Sequence, residues 1–210
     1  MSYSRDFYGL LKFLLIHTAA VRKNVKPAEI LRIRHNRQRA GDKQEGSLCA
    51  QQKEILRALN LNYYILRTNE TGILVLFYSP ELLEKTLWMP QNAKYLQKFG
   101  YACEGELLSY FCTLKARFQQ EVIPHEIGIF LGYPLKDVMG FMNPEKSKPV
   151  YRGAWQVFGD VEESLILMRR YKQAAREASE ILQKFKDFEI CMQKIAAFSR
   201  PERTHLLHAS

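Results

Sequence analysis

The sequence predicts an α+β fold, mostly helical and arranged as a single domain over residues 1–210 around a small antiparallel sheet. Three observations carry that reading. Residues 62–67 and 73–78 are two apolar, aromatic-rich runs on either side of a glycine-ended turn, Thr68-Asn-Glu-Thr-Gly72, which is the pattern of a β-hairpin. Apolar residues at helical spacing fill most of the remaining length. From about 161 to 198, Leu167, Tyr171, Ala174, Ala178, Ile181, Phe185, Phe188, Met192 and Ile195 step alternately by four and three, which predicts one long helix with a coiled-coil-like seam.

Taken in order, Phe7, Tyr8, Leu10, Leu11, Leu14, Leu15 and Thr18 place a first helix over 4–21. Pro27 suits a first helical position and predicts a second, short helix taking in Ile30, Leu31 and Ile33. A polar, glycine-punctuated stretch makes 36–47 a flexible loop, and 48–59 should be helical again. The second hairpin strand is apolar on both alternating sets, so both of its faces should be covered by helices. Ser79 as N-cap with Pro80 behind it starts the next helix. Pro90 opens another, closed at Gly100, where left-handed backbone is tolerated. Leu107, Leu108, Phe111, Leu114 and Phe118 give a longer helix over 105–120. Val150 to Phe158 alternates as a third strand of the sheet, and Asp160 caps the long helix. Pro201 ends that helix and leaves 200–210 as a frayed tail.

Lys and Arg number 31 against 22 Asp and Glu, a net charge of +9, which favours anionic partners. The excess is partly local: Arg32, Arg34, His35, Arg37, Arg39 and Lys43 fall together with no acid before Asp42. Arg32, Arg34, Arg37 and Arg39 are candidate anion-binding residues, although a solvated basic helix end is the simpler reading. Cys49, Cys103, Cys112 and Cys191 form no C-x-x-C pair and read as free thiols in a reducing compartment. The first residues lack the order of a signal peptide, and the apolar run from Phe7 to Ile16 is broken by Lys12 and too short for a bilayer. A cytoplasmic protein without membrane attachment is the expectation.

The densest punctuation lies in Pro124-His-Glu-Ile-Gly-Ile-Phe-Leu-Gly-Tyr-Pro-Leu-Lys-Asp-Val-Met-Gly-Phe-Met142, read as two short helices broken at Gly132 and restarted at Pro134. Gly128, Gly132 and Val138 match helix-turn-helix spacing. The second helix, however, offers one lysine beside one aspartate and no Arg, Asn or Gln to read base edges, so nucleic acid is not the favoured partner. His125 and Glu126 are a candidate acid–base or ligand-contacting pair. Adjacent helical residues point about 100° apart and do not converge on one ion. Position 129 is Ile, so this is not H-E-x-x-H, and no metal is expected. The simpler reading is that both side chains cap the helix. No phosphate-loop, dinucleotide or nucleophile-elbow motif is present, which leaves any cofactor unknown.

The same central segment resembles the hallmark of domain-of-unknown-function family 3793, bacterial proteins mostly from anaerobes. Three further stretches are similar to blocks of that family: His17-Thr-Ala-Ala-Val-Arg-Lys-Asn-Val-Lys-Pro-Ala-Glu-Ile30, residues 74–83, and Gly153-Ala-Trp-Gln-Val-Phe-Gly-Asp160. The family's usual proline and glycine near 20–24 are not found, and Gln156 stands where lysine is usual. The resemblance implies a shared fold and an intracellular bacterial setting, and no activity.

Together these readings predict an intracellular binding or accessory protein without catalysis of its own. His17, His125, Glu126 and Tyr133 would form a pocket for a small anionic ligand, a cofactor or a protein partner. The alternatives are an enzyme using His125 and Glu126 as an acid–base pair, and nucleic-acid binding through 32–43 or 125–142. The C-terminal seam would pack within the chain or form a homo-oligomer.

Overall fold

A computed structural model describes residues 5–34, 56, 59–70, 72–102, 105–120 and 123–184. The expected loop at 36–47, most of the helix at 48–59, the tail at 200–210, the long helix beyond Lys184, and Cys49, Cys103 and Cys191 lie outside the described residues. Cys112 is a free thiol.

The chain opens with α1 (Arg5–His17), turns at Thr18 and continues as α2 (Ala19–Arg22). The Thr18 hydroxyl donates to the Leu14 carbonyl at 2.7 Å, which covers a helix-end acceptor. The sheet follows: β1 (Ala28–Arg34), β2 (Asn62–Asn69) and β3 (Gly72–Tyr78), antiparallel in the order β1-β3-β2. The hairpin is where its composition places it, with one register irregularity between Ile65 and Arg67. β3 is the central strand and is covered on both faces, as its doubly apolar pattern requires. Leu74 and Leu76 join one cluster with Phe111, Leu114, Phe118 and Phe130, while Ile73, Val75 and Phe77 join another with Leu11, Leu14 and Leu15.

Two expectations are corrected. The segment after Pro27 is not a helix but the edge strand β1, pairing Ile30 with Leu76 and Ile33 with Ile73. Three apolar residues are too few to separate a period of two from one of 3.6. What decides is tertiary: the Pro27 carbonyl accepts the Ser79 N–H at 3.0 Å, and Ile30 and Ile33 feed opposite faces of the sheet. The run at 150–158 is not the third strand of that sheet. It folds back on itself as a separate hairpin, β4 (Tyr151–Arg152) with β5 (Gln156–Val157), because Gly153 turns the chain and its N–H donates to the Trp155 carbonyl at 3.0 Å.

Between the sheet and the second hairpin run α3 (Pro80–Leu87), α4 (Pro90–Leu96), a 3-10 turn to Gly100, α5 (Leu107–Gln120), α6 (Ile127–Phe130) and α7 (Leu135–Met142). Ser79 caps α3 by accepting the Leu82 N–H, and Gly100 closes its turn at φ 86°. The last described helix is α8 (Glu162–Lys184), whose first turn donates the Glu162 N–H to the Asp160 carboxylate at 3.2 Å. Its small residues Ala174 and Ala178 pack against Ala19 and Ala20 of α2, and Leu182 joins the cluster under α1. From Tyr171 to Ile181 the seam therefore packs within the chain.

Candidate functional site

The segment 124–142 is positioned by backbone economy. The Pro124 carbonyl accepts from Ile127 N at 3.1 Å and the His125 carbonyl from Gly128 N at 3.2 Å, so 124–126 form a tight turn into α6. The helix ends at Gly132, whose φ of 75° is a left-handed conformation that favours glycine. A Cβ there would also meet Pro27 Cδ at 2.6 Å and the Tyr171 hydroxyl at 2.8 Å. At Gly128 a Cβ would lie 2.8 Å from Val138 Cγ2, so this glycine lets α6 and α7 meet.

Against α6 and α7 stands the β4–β5 hairpin, and between them lies a cavity of about 460 Å3. Its walls include the rings of Tyr133, Phe141 and Trp155, with the side chains of His125, Asp137, Arg152 and Gln156. Tyr133 and Trp155 are stacked at 4.3 Å between centroids, and the His125 ring meets Phe141 edge-on at 4.9 Å. His125 and Arg152 are exposed at the cavity.

One acid organises this wall. Asp137 is buried, and its carboxylate accepts four hydrogen bonds: Lys136 Nζ at 2.8 Å and Phe158 N at 2.9 Å on Oδ1, Trp155 Nε1 at 2.8 Å and Ser164 Oγ at 2.6 Å on Oδ2. Burial alone would raise its pKa, but these donors outweigh burial and hold it below the usual carboxylate value. A carboxylate offers about four lone-pair positions, so all of them are filled by the protein. The Lys136 ammonium is occupied too, since it also meets the Phe158 carbonyl at 3.2 Å and Ser164 Oγ at 3.0 Å.

Behind Tyr133, the buried Lys26 ammonium pairs with Glu29 at 2.7 Å and lies 5.8 Å from the Tyr133 ring and 5.1 Å from the Tyr171 ring. Burial, and then the Glu29 charge, push the Tyr133 hydroxyl up to about 12. Burial and the neighbouring Tyr133 and Glu29 raise that of Tyr171 as well. Both phenols stay neutral at pH 7, and Tyr171 donates to the Gly132 carbonyl at 3.2 Å.

His125 and Tyr133 thus line one cavity. Glu126 does not: its carboxylate is fully buried and is held by Arg117 Nε, by Arg117 Nη2 at 3.3 Å and by the Tyr101 hydroxyl at 3.1 Å. It makes no side-chain cap for α6, so the neighbouring side chains of His125 and Glu126 part. His17 is exposed on α1, packed on Phe13 at 4.2 Å, and is not among the cavity-lining residues. The block from His17 to Ile30 does reach this region, through Lys26, Pro27 and Glu29 instead. Arg32 and Arg34 are exposed on β1, while Arg37 and Arg39 lie outside the described residues. Two faces of α7 bear on the helix-turn-helix spacing: Asp137, Val138 and Gly140 are buried, and Met139 and Phe141 are exposed. Among the described residues no group of three or more His, Cys, Asp or Glu could hold a metal ion, and no helix is long and apolar enough to cross a membrane.

Sequence reasoning missed Asp137, Arg152 and Lys26 as parts of this region. A usable signal existed for Asp137: it is the one acid in a helix whose other residues, Lys136 apart, are apolar or glycine, and such an acid is either exposed or fully hydrogen-bonded. Arg152 carried no such signal, because only the turn at Gly153 brings it to the cavity.

A family model described as Protein of unknown function (DUF3793) matches residues 14–191. No curated protein and no solved structure matches the chain.

Proposed function

The chain belongs to the DUF3793 family of proteins of unknown function, so its role must come from its own chemistry, and we propose that it is a binding protein that seats a small organic molecule beside the 124–134 segment. The observation that carries this is the cavity of about 460 Å3 between α6, α7 and the β4–β5 hairpin, a size that suits small-molecule sites. Aromatic walls supply apolar contact there, and a few polar groups supply orientation. The lining favours binding over acid–base catalysis. Asp137 has every acceptor position filled, and Glu126 is held by Arg117 and Tyr101 away from the cavity. Among the described residues, His125 therefore has no free carboxylate partner in the cavity.

The test follows Trp155 emission in a Trp88→Phe background while a chemically diverse fragment set is titrated. The binding reading expects a saturable change that disappears in Ala154→Phe, which places a ring in the cavity from an exposed position of the hairpin. The melting temperature of that variant should be unchanged. A set in which no fragment alters Trp155, or in which responses survive Ala154→Phe, overturns the reading.

A further inference from the structure

We infer that the cavity is selective for a planar aromatic molecule carrying an anionic group, a deepening that rests on the binding reading above. The argument is an inventory of which charges at the cavity are already matched. The one carboxylate among the described lining residues, Asp137, accepts from Lys136, Phe158 N, Trp155 and Ser164, so it has no lone pair left for a ligand ammonium. Two cations beside it are likewise engaged: Lys136 with three acceptors, Lys26 with Glu29.

What stays unmatched is donor-rich. Among the described residues, the Arg152 guanidinium has no ion pair or hydrogen bond, and the His125 ring has only its contact with Phe141. Arg offers five N–H donors in a planar fork, and the imidazole carries at least one N–H in either protonation state. Gln156 adds an amide to the same lining. A ligand anion thus finds donors and no competing free carboxylate, whereas a ligand cation finds only the positive charge of Arg152. The rings of Phe141, Tyr133 and Trp155 share the wall with Ile127 and Val138, and three rings around one cavity suit the face of a planar ring.

The experiment measures dissociation constants by calorimetry for four probes: indole-3-acetate, indole-3-acetamide, tryptamine and cyclohexaneacetate. Indole-3-acetate should bind at least tenfold more tightly than the amide, with tryptamine and cyclohexaneacetate weaker than both. Arg152→Gln should bring indole-3-acetate to within about twofold of the amide without changing the melting temperature, because the Arg152 side chain is exposed and its guanidinium makes no bond among the described residues. Equal or tighter binding of the amide or of tryptamine, sensitive to Ala154→Phe, overturns the anion selectivity while the cavity reading stands. Cyclohexaneacetate matching indole-3-acetate overturns the ring requirement. Failure of all four probes overturns this inference, and failure of the wider fragment set as well removes the binding reading with it.

Discussion

Asp137 and Trp155 meet side chain to side chain, the indole N–H donating to Oδ2 at 2.8 Å. That bond joins the α7 wall of the cavity to its hairpin wall, and the Phe158 N–H and the Ser164 hydroxyl reach the same carboxylate. One buried charge therefore gathers three consecutive elements. Replacing it leaves several buried donors facing one another.

The first prediction follows from that arrangement. Asp137→Asn turns one acceptor oxygen into a donor among donors and should lower unfolding stability by about 3 kcal/mol, measured by urea denaturation at pH 7. The pH dependence has a definite sign. The folded-state pKa is held below the unfolded value, so the stabilisation is present above that unfolded value of 3.8. It is lost as pH falls through the folded value. The gap between wild type and Asp137→Asn should accordingly narrow below about pH 4. A gap that is constant down to pH 2 contradicts the account.

Gly140 supplies a second prediction, and it reverses the expectation from helix propensity. Glycine in a helix interior is about 1 kcal/mol worse than alanine, so Gly140→Ala should stabilise an isolated α7. In the folded chain an added Cβ would lie 2.3 Å from Phe158 Cγ and 2.6 and 2.7 Å from its Cδ atoms. The Phe158 ring packs directly on the helix backbone, and it belongs to the residue whose N–H is bound by Asp137. Gly140→Ala should therefore destabilise by about 1–3 kcal/mol and lower the melting temperature. An unchanged or raised melting temperature would show that the ring moves aside freely.

How much of this was legible depended on how local the deciding contact is. The hairpin, the Ser79-Pro80 start, the Gly100 stop and the Gly132-to-Pro134 break all follow from one or two residues and their own backbone preferences. β1 did not: Ile30, Leu31 and Ile33 fit both periods, and only pairing with β3 settles the choice. The 150–158 run alternates like a sheet strand, yet Gly153 lets it pair with itself. In the cavity, His125 and Tyr133 were legible from their motif. Glu126 is expected beside His125 in the pocket, with a helix cap as the simpler reading, because an acid at a helix start is favoured there. The contact that places it, Arg117, lies in a different helix and left no trace in the local pattern.

The seam of α8 gives a third prediction. Ala174 and Ala178 are buried against Ala19 and Ala20, a contact between small side chains. Ala178→Leu should destabilise the fold by about 2–3 kcal/mol through overpacking. If that face instead served mainly as an association surface, the substitution would change the sedimentation coefficient and leave the melting temperature near wild type. Measuring both on one variant separates the two uses of the same residues.

Glu126 allows the scaffold role to be separated from the catalytic one. Its carboxylate is fully buried, while its partner Arg117 keeps 18% of its side chain exposed and lies over the Phe99 ring at 5.1 Å. Glu126→Gln keeps the shape and removes the charge, which weakens the charge-assisted bonds that the Arg117 guanidinium donates to it. Because Arg117 can still turn partly toward water, the loss should be moderate, about 2 kcal/mol, and not the full penalty of a sealed ion pair. A double-mutant cycle with Arg117→Met should return a coupling energy of about 1–2 kcal/mol. Dissociation constants for cavity ligands should stay within twofold of wild type, since Glu126 does not line the cavity. An acid–base role predicts the reverse: little change in stability and a large change at the cavity. Denaturation and calorimetry on Glu126→Gln therefore decide between a carboxylate that anchors α5 to the start of α6 and one that acts with His125.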